Sequence, residues 1–184
     1  MMVVKALTSF LGATRRVFIL LLLLLALQIS FAYAAVTTEW ATGALTTVLS
    51  SELNSLSNNG FSSASSAFNN AIGQTGNGYT ICRVELVATF AANPTANTGV
   101  SVYFLKGTDA TPNFENTPTS SIGLGRPPDV VLPVTSGQTG TRVAVDVLCP
   151  AYQFKVSAKN DGTGQAMAAS GNTIKILMIT PQGN

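Results

Sequence analysis

Tyr79-Thr80-Ile81-Cys82-Arg83-Val84-Glu85-Leu86-Val87-Ala88-Thr89-Phe90 decides the fold class. Cys82, Val84, Leu86, Ala88 and Phe90 alternate with Ile81, Arg83, Glu85, Val87 and Thr89, and the first set makes the cleaner apolar face. Side chains of an extended chain alternate between two faces, whereas a helix needs a period of 3.6, so this run reads as a half-buried strand. Gly99–Lys106 repeats the pattern, with Val100, Val102 and Phe104 opposite Ser101, Tyr103 and Leu105.

Four more strands are expected downstream, at residues 129–134, 141–148, 152–159 and 173–180. In the second of these, Val143, Val145, Val147 and Cys149 share a face opposite Ala144, Asp146 and Leu148. In the third, Tyr152, Phe154, Val156 and Ala158 oppose Gln153, Lys155, Ser157 and Lys159. The fourth, Ile174-Lys175-Ile176-Leu177-Met178-Ile179, is apolar on both faces, so it belongs at the centre of a sheet or under another subunit. Gly137 to Gly140, Asn160-Asp161-Gly162 and Gly171-Asn172 supply turns between these runs. Seven or eight short strands without a long helix predict an all-β, single-domain β-sandwich of jelly-roll type, with a barrel as the alternative.

The segments upstream are less regular. Glu39-Trp40-Ala41-Thr42-Gly43 reads as a turn and Ala44 to Leu49 as a first strand, although Leu45, Val48, Leu49, Leu53 and Leu56 also fit helical spacing. From Asn58 to Asn77 the chain is Ser, Asn and Gly broken by Phe61, Phe68 and Ile72, which reads as a long loop with one short strand near residues 68–72. Residues 107–128, rich in Gly, Pro, Asn and Thr, form a loop long enough to be functional or to pack on a neighbour.

The front of the chain carries Lys5, Arg15 and Arg16, an apolar run from Val17 to Leu27, and Ala32-Tyr33-Ala34 before Ala35. That order is a signal peptide over residues 1–34, cleaved between Ala34 and Ala35, with an uncleaved anchor as the alternative. The expected domain is then 35–184. Without the leader the formal charge passes from +2 to −1, because three of ten basic residues leave and all eight acidic ones stay. The remaining basic residues are scattered, so neither the stripe that binds nucleic-acid phosphates nor a polybasic membrane patch is present. Export to the periplasm or beyond, with no membrane attachment after cleavage, is the expectation.

Catalytic chemistry has little to work with, since the chain contains no histidine. That removes Ser-His-Asp and Cys-His arrangements and histidine-based zinc sites. A carboxylate pair of the glycosidase kind would have to come from Glu85, Asp109, Glu115, Asp129, Asp146 and Asp161. Glu85 and Asp146 lie on polar strand faces, Asp109, Glu115 and Asp129 lie in loops, and Asp161 precedes a turn glycine, so each has an ordinary structural account. Asp109, Asn113, Glu115 and Asn116 match no defined calcium loop. Gly73-Gln74-Thr75-Gly76-Asn77-Gly78 and Gly162-Thr163-Gly164 lack the Lys-Ser/Thr of a phosphate loop. Trp40 reads as a packing anchor before a sugar platform, which leaves a glycan partner possible but unsupported. No catalytic residue, metal ligand or cofactor is assigned. Cys82 and Cys149 both sit on inward faces and are either bonded to each other or two buried thiols; sequence leaves both open.

Arg126-Pro127-Pro128-Asp129-Val130-Val131-Leu132-Pro133-Val134, Cys149-Pro150-Ala151-Tyr152-Gln153-Phe154-Lys155-Val156 and Gly164-Gln165-Ala166-Met167-Ala168-Ala169-Ser170-Gly171-Asn172-Thr173-Ile174-Lys175 resemble small β-sandwich virion structural proteins of tailed bacteriophages. The opening Glu39-Trp40-Ala41-Thr42-Gly43-Ala44-Leu45 with Leu53-Asn54-Ser55-Leu56-Ser57-Asn58-Asn59-Gly60 is similar to how such proteins begin. The resemblance implies a non-enzymatic capsid-decoration or tail-associated subunit whose partners are itself and other virion proteins. The leader is foreign to that group, which keeps a second expectation open: a secreted binding module or a pilus or adhesin subunit of the cell envelope.

Overall fold

The computed structural model describes residues 38–70, 78–107, 113–119 and 125–183. The expected leader and its Ala34–Ala35 cleavage site lie outside the described residues, as do residues 71–77, Asp109 and residues 120–124. The chain is all-β. Its strands are β1 (Thr38–Thr42), β2 (Thr46–Leu49), β3 (Ile81–Thr89), β4 (Gly99–Lys106), β5 (Val130–Pro133), β6 (Gly140–Leu148), β7 (Phe154–Asp161) and β8 (Thr173–Gly183), and a short 3-10 turn spans Ser51–Leu53.

Two sheets form. One runs β1-β8-β3-β6, with β2 also paired to β8, and the other runs β5-β4-β7. The paired strands β2–β8, β3–β6, β3–β8, β4–β5 and β4–β7 are antiparallel. Their inner faces enclose one core, the arrangement of a β-sandwich. Val84, Leu86, Ile174 and Ile176 come from the larger sheet, and Val100, Val102, Phe104, Phe154 and Val156 from the smaller, all essentially inaccessible to water. Burying each such side chain contributes about 1.5–3 kcal/mol. Phe104 meets Phe154 edge-on at 5.2 Å between ring centroids, and Phe68 stacks on Phe154 at 5.4 Å.

Period-two reading survives best where the strand lies inside a sheet. β4 has the bounds expected of it, and β8 lies between β1/β2 and β3, as its two apolar faces require. Near the chain's start the expectation fails. Trp40 falls within strand β1 and not in a turn, and the break comes at Gly43, between β1 and β2. The Gly43 N–H donates to Met178 O at 2.7 Å, which keeps both short strands on the same edge of β8. Tyr152 is also outside its expected strand: β7 begins at Phe154, and Tyr152 is exposed beside Pro150.

β7 differs from expectation in a second way. Ser157, placed on a solvated face by alternation, is fully buried, as is Ser101 of β4. The outer face of the smaller sheet is covered by its own chain. Phe61 packs on Tyr103 at 5.8 Å, Arg126 lies 6.0 Å from the Tyr103 ring centroid, and the Lys155 ammonium lies 4.7 Å from that of Phe114.

Candidate functional site

The chemistry-bearing residues gather at the margins of the smaller sheet, where side chains stand in for missing strands. Along the outer edge of β7, the N–H groups of Asn59, Ser62, Ser65 and Phe68 donate to the carbonyls of Asn160, Ala158, Val156 and Phe154 at 2.7–2.8 Å. Three residues of this segment therefore match two of β7, a ratio no regular strand pair has, since strands advance residue for residue. The mismatch leaves two β7 donors without a facing carbonyl. Ser65 Oγ accepts from Val156 N and Ser62 Oγ from Ala158 N, both at 2.9 Å, and these hydroxyls in turn donate to Ser66 O and Ser63 O. At the two ends carbonyls resume: Phe154 N donates to Phe68 O and Asn160 N to Gly60 O, each at 3.0 Å.

This is the site that the low-complexity reading missed. Residues 59–68 are neither a free loop nor a strand beginning at Phe68, but an irregular cover bonded along β7. Its signal is the three-residue spacing of Asn59, Ser62, Ser65 and Phe68, which a search for periods of 2 and 3.6 passes over. Buried amides finish the work. Asn160 Nδ2 donates to Leu56 O and Gln165 O, and Asn70 bridges Tyr79 and Pro150.

On the opposite margin, β5 pairs with β4 only over Gly99 to Val102. Beyond it, charged side chains from the following loop occupy the β4 edge. Asp129 Oδ2 accepts from Phe104 N at 2.8 Å, Glu115 Oε2 accepts from Lys106 N at 2.9 Å, and Arg126 donates to Phe104 O at 2.8 Å. Arg126 also pairs with Asp129 at 2.8 Å and Glu115 at 3.0 Å. Burial alone would raise the Glu115 carboxyl, but the Lys106 N–H and the Arg126 guanidinium outweigh it and hold the group below its ordinary value. The described part of the 107–128 loop thus packs on its own sheet.

A shallow cleft of about 780 Å³ lies beside this margin, lined by Asn97, Gly99, Ser101, Pro128, Val131 and Asp161 among others. Among the described residues, Asp161 is the one charged member of its wall. The Asp161 carboxylate takes a 2.7 Å bond from Lys159 and a 3.0 Å bond from Ser101. The Lys159 bond is the largest reason its carboxyl sits below the ordinary value; burial opposes it and Ser101 adds to it. Asp161 has no second described carboxylate beside it on the cleft wall, whereas glycoside hydrolysis uses two.

The other candidate carboxylates stand apart. Asp146 accepts both guanidinium bonds of Arg83, at 2.7 and 2.9 Å, directly across the β3–β6 ladder. Glu85 takes one bond from Arg142 at 3.1 Å, while its other oxygen is buried without a hydrogen-bond partner. Asp109 lies outside the described residues, and Glu115, the described carboxylate of the calcium set, is held by Arg126 and Lys106. Among the described residues no group of three or more metal-binding side chains occurs.

Cys82 and Cys149 are bonded, with Cα atoms 5.0 Å apart. Cys82 lies opposite Val147, so Cys149 is its diagonal neighbour on the same inward face at the end of β6. Closing a loop of 67 residues is worth about 4 kcal/mol in the chain-entropy account.

Compared with protein-family models, curated proteins and solved structures, the chain has no match.

Proposed function

We propose that the chain is a non-enzymatic structural subunit of a phage-like virion, a capsid-decoration or tail-associated protein, folded as a jelly roll. The observation that carries the reading is strand order. With residues 59–68 counted as the strand outside β7, the sheets run β1/β2-β8-β3-β6 and 59–68-β7-β4-β5. That interleaving is the order of an eight-stranded jelly roll, an architecture that recurs in viral capsid proteins. Fold alone does not assign function. The further support is that the described candidate carboxylates are all tied to cations within the fold, and that the three stretches carrying the phage resemblance build structural joints. Within Gly164 to Thr173, for example, Met167 bridges Phe90, and Asn172 accepts from Thr89 N and donates to Ala168 O.

A second reading, a secreted binding module or envelope pilus or adhesin subunit, is favoured by one feature, the Cys82–Cys149 disulfide, which suits the oxidising compartment that the expected leader implies. Mass spectrometry of gradient-purified particles and of periplasmic and culture fractions separates the two. The virion reading expects this chain at fixed stoichiometry in particles. Recovery only as soluble envelope or secreted protein starting at Ala35 overturns it in favour of the second reading.

A further inference from the structure

The four sheet edges are treated differently. The outer edge of β7 is covered by residues 59–68, the β5 edge is four residues long and ends at Pro133, and the β1/β2 edge is interrupted at Gly43. These are the usual ways of preventing edge-to-edge pairing. β6 has none of these three, and the charges it carries, Arg142 and Asp146, are of opposite sign. It runs nine residues without proline and without a bulge, in unbroken register with β3 from Gly140 to Leu148.

The direction of its free groups follows from the ladder. Phe90 N donates to Thr139 O, and Cys149 N to Thr80 O. Odd-numbered positions of β6 therefore bond toward β3, and the N–H and C=O groups of Arg142, Ala144, Asp146 and Leu148 point away from the sheet. Among the described residues no strand pairs with them. Val143, Val145 and Val147, on the inner face, are only half-buried.

We propose that β6 is an assembly edge, pairing antiparallel with β6 of a second copy about a two-fold axis at Ala144. In that register Arg142 faces Asp146 of the partner subunit, and Asp146 faces Arg142 of the partner subunit. The side chains of Arg142 and Asp146 are 73% and 48% exposed, so both have room for a second partner besides Glu85 and Arg83. The charges then alternate across the seam, as cross-strand pairs favour. Moving the axis to residue 142 or 146 sets like charges against each other.

A second pair supports the same register. Gly140 lies opposite Leu148 of the partner subunit. Leu148 is 78% exposed, the most exposed of the described large apolar residues, and the space where a Gly140 side chain would sit is open. A leucine over a strand glycine fills that space from across the seam. On the inner face Val143 meets Val145 of the partner subunit, which completes burial of both. The two larger sheets become one continuous sheet, an isologous contact.

This inference deepens the reading of the chain as an assembling subunit and rests on it for the second copy. Its test uses native protein purified from the producing cells. Ala144→Cys is expected to form an intermolecular disulfide under copper-phenanthroline at least tenfold faster than the exposed control Thr47→Cys, because facing residues of a bonded pair are about 5.5 Å apart. Arg142→Cys mixed with Asp146→Cys is expected to cross-link between the two variants and not within either one.

Light scattering should show a concentration-dependent dimer that Arg142→Glu shifts toward monomer by at least tenfold. The double variant Arg142→Glu/Asp146→Arg should restore it, although it places like charges beside Glu85 and Arg83 within each chain. A monomer at all concentrations overturns the proposal. So does Ala144→Cys cross-linking no faster than Thr47→Cys, or only to a different protein. Cross-linking of a chain that is absent from particles sinks the virion reading alone, and a particle-bound chain without the cross-link sinks the pairing alone.

Discussion

The outer edges of β7 and β6 end the two sheets in opposite ways. β7 is closed by a polar segment that gives up strand geometry to do so, supplying Ser62 and Ser65 hydroxyls where backbone carbonyls fall out of step. β6 keeps strand geometry and leaves its outward groups unpaired by any described strand, with charged side chains flanking them. The contrast shows that a Ser- and Asn-rich stretch can be hydrogen-bonded along the whole edge of a strand. It also locates, on β6, the backbone groups that no described strand pairs.

The strongest test of the closed edge is to charge it. Val156 is inaccessible to water, and its N–H is satisfied by Ser65 Oγ. Val156→Asp places an unpaired carboxylate in the core, which costs several kcal/mol against a total stability of about 5–15 kcal/mol. Soluble folded protein should be lost, as judged by circular dichroism and solubility. Ala144→Asp on the exposed face of β6 should leave the folded monomer intact.

The disulfide belongs to the open edge, since it pins the end of β6 to β3. Replacing both cysteines by alanine should lower stability by about 2–5 kcal/mol. The loss should be local in hydrogen exchange. Amides of β6 that bond to β3 should exchange faster, while those of β7 under residues 59–68 keep their protection.

Next in size are the serines. Ser65→Ala strands the buried Val156 N–H and Ser62→Ala the Ala158 N–H, each at about 1–3 kcal/mol. Ser63→Ala and Ser66→Ala, whose carbonyls and not hydroxyls are used, should cost far less in a denaturant titration. Equal losses at all four positions would show that composition, and not the three-residue spacing, holds the edge.

That spacing marks the limit of what sequence made legible. Alternation exposed β3, β4 and β6 to β8, because a strand with a neighbour on each side, or with one wet face, obeys period two. It did not expose residues 59–68, whose contacts run three residues to two, nor Ser101 and Ser157, which look solvated and are buried by chain distant in sequence. Both cysteines were legible as inward-facing, but their pairing depends on the β3–β6 register, which only the folded sheet supplies. The carboxylates were visible one by one. Which cations hold them was not, because Arg126, Glu115 and Asp129 converge only when their loop folds back on β4.

Acid should act on both margins. Glu115 and Asp161 both titrate below their ordinary values of 4.5 and 3.8 in the folded chain. A folded-state pKa below the unfolded one stabilises above the unfolded value and is lost as pH falls through the folded value. The denaturant midpoint should therefore be flat above about pH 5 and decline below the ordinary carboxylate range. Glu115→Gln keeps an acceptor for Lys106 N but loses the charge facing Arg126. It should be less stable than the parent at pH 7, and the gap should close as pH falls through the lowered Glu115 value.

The smallest effect expected on the monomer is at Asp146. Its bidentate pair with Arg83 has good geometry, but both side chains are about half exposed, 48% and 49%. Water screens such a pair and side-chain entropy opposes it, so exposed ion pairs add little to folding. Asp146→Asn should leave the denaturant midpoint of dilute protein at pH 7 where it was. If β6 is an assembly edge, the same substitution should still weaken self-association, since Arg142 of the partner subunit then loses its facing charge. A change in association without a change in fold would separate the open edge from the closed one, where Ser65→Ala moves the fold itself.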